Sequence, residues 1–462
     1  MSITLSIIYL ISTVTFVIGL KMLGHPETAK KGNIISAVGM IAAIIGTIFL
    51  HDFEVASINY ILIGAALFVG SLIGWLIALK VEMTKMPELV SLFNGFGGAS
   101  AMLIGLVEYG NNTGDAMQTS TVIAAIIIGS ITFTGSLVAF GKLNGSLNDV
   151  RLPKYNLINN ILILGLIAFG AYIVMMGADS TLLIYVLLAV SLVYGLLFVF
   201  PIGGADMPVV ISLLNSLTGI AAAITGILYG NMVMLVGGIL VGSAGLILTF
   251  IMCDAMNRSL SNVIFGAFGG DSDAIAGTAG TSASGGTIKK TTASDSAILL
   301  NYASKVVIVP GYGLAVAQAQ HVIHELELLL TEKGIDVSYA IHPVAGRMPG
   351  HMNVLLAESN VDYDKLIEMD DINPQFPNTD VVLVVGANDV VNPAAHNDPS
   401  SPIYGMPILD VENSKHIIVN KRTMNAGYAG IQNELFFNTK TSMLFGDAKS
   451  ALTELVSELK NM

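Results

Sequence analysis

Nine stretches of about 20 apolar residues fill the first half of this 462-residue chain and limit what it can fold into. A helix must be about that long to cross the hydrocarbon core of a bilayer, because its backbone groups have to be paired within the segment. The composition agrees, since 53% of the residues are hydrophobic and only 12% are charged. We therefore expect a polytopic α-helical membrane domain. Its predicted spans are 3–20, 33–50, 58–79, 87–107, 121–140, 157–176, 182–200, 207–228 and 232–252.

Positive charges in alternate connections predict the orientation. The second, fourth, sixth and eighth connections contain no Lys or Arg. By the positive-inside rule the N-terminus lies outside and the part after the ninth span lies in the cytoplasm. The division between the eighth and ninth spans is the weakest, because only three residues separate them. The cations of the first, third and fifth connections are Lys21, Lys30, Lys31, Lys80, Lys85, Lys142, Arg151 and Lys154.

A duplicated motif marks the fourth and eighth spans. The sequences MPELVSLFN and MPVVISLLN lie 121 residues apart, and each places an asparagine about two turns into its span, at Asn94 and Asn215. Polar residues inside a membrane are costly, so both, with Glu88 and Asp206 at the cytoplasmic ends, are candidates for a proton or ion path. Hydrogen bonding between helices explains the two asparagines equally well.

The chain after the last span divides into a linker and a soluble domain. Residues 266–297 are rich in Gly, Thr, Ser and Ala, which indicates a flexible linker between a membrane domain, 1–265, and a soluble domain, 298–462. Residues 1–265 hold 9 of the 21 basic and 11 of the 33 acidic residues, so the remainder has a net charge of −10, and nucleic acid is not an expected partner. Arg258 could be an interfacial anchor or a hinge contact. Cys253 is the only cysteine, which excludes an intrachain disulfide and a cysteine-based metal site.

A strand, a glycine turn and a helix open the soluble domain. The strand is 305–309, the turn begins GYGLAVA at residue 311, and the helix extends to about residue 331. Glycines allow a tight turn close to a pyrophosphate, and the helix N-terminus offers N–H groups, as in dinucleotide-binding Rossmann domains. We expect an α/β Rossmann-like fold. The candidate residues of the turn are Gly311, Tyr312, Gly313, Leu314, Ala315 and Val316, the last standing where the fingerprint has Gly or Ala.

The ends of later strands suggest the kind of dinucleotide. After the second strand, 337–341, the chain offers His342 and Arg347 where an NAD site usually has an acid, which favours the 2′-phosphate of NADP. The strands 381–385 and 416–419 end in GAND and KRT. Lys421, Arg422 and Thr423 could hold a phosphate dianion, or they could form an ordinary solvated turn.

Two histidines on the first helix raise the question of a metal. His321, His324 and Glu325 offer ligands close together, but their order matches no zinc signature. We expect an exposed helix face and no metal site.

Five ordered motifs resemble the β subunit of the proton-translocating NAD(P) transhydrogenase, over essentially the whole chain. They are GGADMP from residue 203, GYGLAVAQAQ from 311, HPVAGRMPGHMNVLLAE from 342, GAND from 386 and KRTMNAGYAG from 421. The resemblance implies hydride transfer from NADH to NADP⁺, coupled to inward proton movement. Hydride passes directly between nicotinamides, so no residue serves as catalytic acid or base.

The resemblance also implies where NADP(H) binds. Lys421, Arg422 and Thr423 would contact the 2′-phosphate, the glycine turn would lie near the pyrophosphate, and Asp389 would be a protonation-linked switch. Some family members have His where this chain has Asn94, and Asn cannot titrate, so a relay there needs water or a partner's group. The other residues implied are Val344, Ala345, Gly346, Gly386, Ala387, Asn388, Gly427 and Tyr428.

A partner is expected, because the chain has one dinucleotide fingerprint and two nicotinamides need two sites. NAD(H) would bind an α subunit, the α/β unit would pair into a dimer, and the location would be a bacterial inner membrane. An alternative is a channel or transporter regulated by a cytosolic NADP(H)-sensing domain. A membrane-anchored NADPH reductase ranks lower, since nine spans exceed an anchor and no flavin, haem or metal ligands are evident.

Overall fold

The computed structural model describes residues 3–462 except 25, 51–54, 111–114, 149–154, 177–180, 204–205, 258, 261–287, 349 and 428. Within these residues nine helices are long and apolar enough to cross a membrane, which confirms the predicted polytopic domain. They are α1 (Ile3–Leu23), α2 (Pro26–Phe49), α3 (Ser57–Lys80), α4 (Met86–Gly110), α5 (Ala116–Leu143), α6 (Tyr155–Met176), α7 (Thr181–Val199), α8 (Met207–Leu228) and α9 (Met232–Ala255).

The chain forms two compact units. One comprises Met1–Ile202 and Val210–Ile247, and the other comprises Gly203–Val209 and Leu248–Met462. The first therefore contains most of the apolar helices, and the second contains the sheet described below.

Glycines bring neighbouring apolar helices into backbone contact. A Cβ on Gly129 of α5 would lie 2.6 Å from the carbonyl oxygen of Gly98 in α4, and a Cβ on Gly219 of α8 would lie 2.4 Å from the backbone nitrogen of Gly242 in α9. Such approach is how helices pack where no hydrophobic effect drives them together. By contrast, α3 has no buried residue in the described part of the chain.

The second unit contains a parallel sheet. Among its described residues six strands lie in the order β3-β2-β1-β4-β5-β6, and every neighbouring pair is parallel. This is the doubly wound Rossmann order, and it confirms the predicted fold. The strands are β1 (Lys305–Pro310), β2 (Asp336–Ile341), β3 (Leu366–Glu368), β4 (Val381–Val385), β5 (His416–Lys421) and β6 (Thr441–Phe445).

Burial explains why these strands are continuous apolar runs. All five residues of β4 are buried, as expected for a parallel sheet covered on both faces. One face packs against Phe376, Leu409 and Phe436. The flanking helices are α10 (Ala293–Asn301), α11 (Tyr312–Val316), α12 (Gln320–Glu332), α13 (His351–Glu358), α14 (Met369–Ile372), α15 (Ala394–Asn397) and α16 (Ala448–Lys460).

The helix predicted after the glycine turn, ending near residue 331, is α12, whereas the turn itself contains a short helix, α11, that the sequence did not indicate. The first helix, α11, ends at Val316, and Gln318 has φ +48°. The N–H groups of Gln318 and Ala319 donate to the carbonyls of Ala315 and Leu314, both at about 3.0–3.1 Å. These two bonds form a Schellman motif, which ends a helix with one left-handed residue. Glutamine is uncommon at that position, so no glycine announced the break.

The end of the predicted linker is ordered. The helix α10 begins at Ala293, inside the range 266–297, after Thr292 caps it by accepting the N–H of Asp295 at 3.1 Å. Lys290 forms a parallel bridge with Met443 of β6. The Thr-x-x-Asp spacing is a helix-start signal that the small-residue composition concealed. The rest of that range, through residue 287, lies outside the described residues.

Candidate nucleotide-binding site

The glycine turn packs directly on the loop after β4. The N–H groups of Gly311 and Gly313 donate to the carbonyls of Val385 and Gly386, at 2.9 and 3.0 Å. A Cβ on Gly386, where φ is +71°, would lie 2.4 Å from the Leu314 nitrogen. A Cβ on Gly311 would likewise lie 2.4 Å from the Gly386 carbonyl oxygen, so both loops need glycine where they meet. Two amides of the turn are used in this contact instead of being free for a pyrophosphate as expected.

A cavity opens beside this contact, on the side of β4, β5 and β6. Its volume of about 240 Å³ is slightly below the ~300–1,000 Å³ of typical small-molecule sites, so it suits one end of a dinucleotide. It lies at the carboxyl ends of parallel strands, where α/β sheets bind ligands. The lining residues are Gly313, Gly386, Ala387, Asn388, Asn420, Lys421, Arg422, Thr423, Asn425, Ala426, Gly427, Gly446 and Ala448.

Two cations and a hydroxyl stand together in the lining. The ammonium of Lys421 donates to the Asn425 carbonyl at 2.6 Å and lies 4.7 Å from the centre of the Phe436 ring. Burial lowers the pKa of Lys421, and the charge of Asp389 opposes that shift. The Arg422 and Thr423 side chains are exposed. The three residues predicted for a phosphate are thus brought to one cavity.

Asp389 connects two loops of the site without lining the cavity. Its Oδ2 accepts the backbone N–H of Ala429 at 2.9 Å, and its Oδ1 accepts the Asn388 amide at 3.3 Å. Gly427 lies against the same pair, since a Cβ there would be 2.5 Å from Oδ1 of Asp389. The loop after β4 therefore fixes the position of the loop after β5.

His342 contributes no positive charge to the site. Its ring is buried, Nδ1 accepts the Val344 N–H at 3.2 Å, and Nε2 donates to the Pro407 carbonyl at 2.9 Å. Burial lowers the pKa of His342 to about 4. The imidazole is neutral near pH 7, so of the two residues offered after β2 only Arg347 is a cation.

Arg347 lies at the glycine turn rather than at the cavity. Its guanidinium is 4.6 Å from the centre of the Tyr312 ring. The other candidates outside the cavity lining differ in burial. Leu314 and Ala315 belong to the core, whereas Val316 is 43% exposed. The third fingerprint position therefore does not make the close helix–strand contact for which a glycine is needed there. The remaining candidates outside the lining are Gly311, Tyr312, Val344, Ala345 and Gly346.

The sequence did not indicate five residues of the cavity lining, and two of the sequence candidates lie outside the described residues. Gly446 and Ala448 follow β6, so the rule that strand carboxyl ends form the site would have found them had TSMLF been recognised as a strand. The missed residues are Asn420, Asn425, Ala426, Gly446 and Ala448. Tyr428 and Arg258 lie outside the described residues.

The duplicated motif forms the same contacts twice in the membrane helices. Ser91 of α4 donates to the Ser136 carbonyl of α5 at 2.9 Å, and Ser212 of α8 donates to the Gly245 carbonyl of α9 at 3.1 Å. Ser91 and Ser212 are also 121 residues apart, so the same serine of the motif joins its span to the next helix in both copies. The duplication is thus a repeated packing unit.

The two asparagines differ within this repeat. Asn94 is buried, its amide is 3.5 Å from the Ile211 carbonyl, and its own carbonyl accepts the Thr218 hydroxyl at 3.3 Å. Asn215 is half-buried. Asn94 therefore links α4 to α8, as the packing interpretation expects. Glu88 and Asp206 are also half-buried.

Of the two histidines on α12, His321 is exposed and His324 is paired within the domain. Nδ1 of His324 is 2.8 Å from the carboxylate of Glu327, a buried residue that also contacts Lys365. Glu325 pairs with Lys460 at 2.6 Å. In the part of the chain that the structure describes, no group of three metal-ligating side chains occurs.

The fold and the site define a polytopic membrane protein with a C-terminal Rossmann-like domain. Residues 5–458 match the family described as NAD(P) transhydrogenase beta subunit, and the chain belongs to it. A protein of Rhodospirillum rubrum named NAD(P) transhydrogenase subunit beta is 45% identical, over 98% of each chain, and the one from strain ATCC 11170 matches equally. The chain is therefore a subunit of an oxidoreductase that uses nicotinamide nucleotides, and the name implies an α partner.

Proposed function

We propose that this chain binds NADP(H) and conducts protons in a transhydrogenase. Hydride would pass from NADH on the α subunit to NADP⁺ on this chain, coupled to protons moving inward. The observation on which this rests is the cavity with Lys421, Arg422 and Thr423 at the carboxyl ends of the sheet.

The charges of the cavity favour NADP(H) over NAD(H). An NAD site places an acid on the ribose hydroxyls, whereas an arginine accommodates the 2′-phosphate. None of the cavity's described lining residues is Asp or Glu, and two are cations. Among the described residues, Arg422 has no ion pair that would compete for its guanidinium. A phosphate dianion is the ligand that best matches this lining.

The protein's own part in the reaction is positioning. NADP(H), when bound, supplies a nicotinamide that accepts or donates hydride. Lys421 and Arg422 would hold the phosphate, and the loop of Gly386 would support the rest of the cofactor. Asp389 would link proton binding to the site, because protonating its carboxylate weakens the charged hydrogen bond to Ala429 that joins the two loops.

Proton movement would use the repeated helices. Asn94 and Asn215 would line the path, with Glu88, Asp206 and Arg258 near its cytoplasmic end. Because asparagine cannot titrate, water or a group of the α subunit would have to transfer the proton at this level. The chain would lie in a bacterial inner membrane, with the N-terminus outside and the soluble domain inside, in a dimer of α/β units.

Transhydrogenation in sealed vesicles tests the proposal. The assay uses NADH and an NADP⁺ analogue, with and without an uncoupler, for this chain alone and with its α subunit. We expect activity only with the partner, faster under an inward proton gradient. Activity of the chain alone would contradict the two-subunit site. No hydride transfer with any partner, together with ion flux that NADP(H) alters, would establish the regulated channel instead.

A further inference from the structure

One buried histidine of the soluble domain, His351, contacts both Arg347 and Tyr312. His351 is the first residue of α13 and is fully buried. Its ring meets the Tyr312 ring edge-on, with centroids 6.0 Å apart, and the Arg347 guanidinium lies over the same tyrosine. The turn wraps closely around it, since a Cβ on Gly346 would be 2.7 Å from the His351 ring.

The hydrogen bond of His351 fixes its tautomer. Nδ1 accepts the backbone N–H of Arg347 at 3.1 Å, so the ring proton is on Nε2. Burial and the nearby Arg347 charge both lower the pKa of His351, which keeps the ring neutral. A neutral ring can continue to accept that N–H, whereas a protonated one would lose the bond.

Two buried donors in this group have no acceptor. Nε2 of His351 and Nε of Arg347 are buried without a hydrogen-bond partner among the described residues. A buried donor without a partner is unfavourable. An apolar ring would fill the same space without that cost, so packing alone does not account for a histidine here.

We infer that His351 is a positioning residue for the nucleotide, acting by seating Arg347 over Tyr312 at the glycine turn. The inference rests on the proposed function, in which this domain binds NADP(H). The cavity suits one end of the dinucleotide, at β5 and β6, and the remainder must extend along the sheet edge. From β5 to β1 is two strand spacings, about 10 Å, and the Arg347 guanidinium lies over Tyr312 in the turn that follows β1.

The test compares substitutions that keep or lose the Nδ1 acceptor. His351→Asn places an oxygen near the Nδ1 position, whereas His351→Gln places its amide near Nε2 and His351→Leu has no acceptor. NADPH affinity is measured by the fluorescence of NADPH added to the purified full chain in detergent. We expect Asn to bind within threefold of the unsubstituted chain, and Gln and Leu to bind at least tenfold more weakly.

A double-substitution cycle separates positioning from general packing. If His351 acts through Arg347, His351→Leu should change the affinity less than twofold in an Arg347→Ala background. Losses that multiply in the double variant, or equal losses for Asn and Gln, would overturn the inference. If the Leu variant does not fold, the Asn and Gln pair decides.

Two reference variants distinguish this inference from the proposed site. If Arg422→Ala and Arg347→Ala both weaken NADPH binding while the Gln and Leu variants bind normally, only the role of His351 is wrong. If neither arginine variant changes the affinity, the site assignment is wrong and the inference fails with it.

Discussion

The Asp389 carboxylate accepts the backbone N–H of Ala429 at 2.9 Å, which joins the loop after β4 to the loop after β5. Both loops line the cavity, through Gly386–Asn388 on one side and Lys421–Gly427 on the other. The site is therefore preorganised by a charged hydrogen bond that lies just outside it. Preorganised loops lose less entropy when a ligand binds.

Removing this carboxylate should weaken nucleotide binding. A hydrogen bond to a charged group contributes about 1.5–3 kcal/mol, so Asp389→Ala should raise the dissociation constant for NADP(H) tenfold or more. Titration of the purified chain with NADPH measures it. Asp398→Ala is the control, because that carboxylate accepts hydrogen bonds from the nearby Ser400 and does not line the cavity. An equal loss in both variants would contradict the role of Asp389.

Arg422→Ala should reduce affinity for NADP(H) by more than about 1.5 kcal/mol, as for a lost charged hydrogen bond, while leaving membrane insertion intact. Affinity for NADH should not fall, because NADH has no 2′-phosphate. The matched control is Lys440→Ala. Lys440 is a cation just before β6, and its ammonium donates to the Glu412 carbonyl. Unchanged NADPH binding in the Arg422 variant would reject the placement of the phosphate.

Among the glycines with positive φ, Gly386 is the one at which an alanine should weaken nucleotide binding most. An alanine Cβ would lie 2.4 Å from the Leu314 nitrogen and 2.5 Å from the Gly313 Cα, both backbone atoms. Gly334 also has positive φ but nothing within 4 Å, so Gly334→Ala costs only the left-handed strain of about 1–2 kcal/mol. We expect NADPH binding to be lost in the first variant and kept in the second.

Equal effects of the two alanines on NADPH binding would mean that the loops separate easily. The comparison requires circular dichroism to show that both variants fold. With folding established, the difference in binding reports the contact between the glycine turn and the loop after β4.

The sequence predicted most of this architecture because its signals are local. Twenty apolar residues identify a span wherever it packs, and the run VVLVV identifies a buried parallel strand. The short helix α11, which ends before Gln318, was missed because a left-handed glutamine leaves no glycine signature. Of the site, Lys421 and Arg422 could be predicted from strand ends, whereas Gly446 was missed because TSMLF was not recognised as a strand.

His342 should make the soluble domain less stable in mild acid. Its folded pKa, about 4, is below the unfolded 6.5, so the unfolded chain binds more protons between these values. Stability is then full above pH 6.5 and falls as the pH drops towards 4. At pH 5 the loss is about 2 kcal/mol by linkage.

Thermal unfolding of the full chain at pH 7.5 and pH 5 measures this loss. His342→Gln is the informative variant, because its amide can still donate to the Pro407 carbonyl and it does not titrate. Between pH 7.5 and pH 5 the unfolding midpoint should fall less in the Gln variant than in the unsubstituted chain. The difference between the two falls should be about 4–8 °C. The same pH dependence in both chains would show that His342 is not the titrating group.

In the membrane helices, Gly129→Ala tests whether backbone contact holds the repeated hairpins together. The added Cβ would be 2.6 Å from both the Gly98 carbonyl oxygen and the Met102 nitrogen, and neither backbone atom can turn away. Separating α4 from α5 to relieve the clash would also lengthen the bond from Ser91 to the Ser136 carbonyl. Gly70→Ala in α3 is matched in chemistry and meets nothing within 4 Å. We expect the Gly129 variant to unfold at a lower temperature in detergent and the Gly70 variant to unfold at the same temperature as the unsubstituted chain. Equal unfolding midpoints for the two variants would mean that the close contact at Gly129 does not stabilise the packing of α4 on α5.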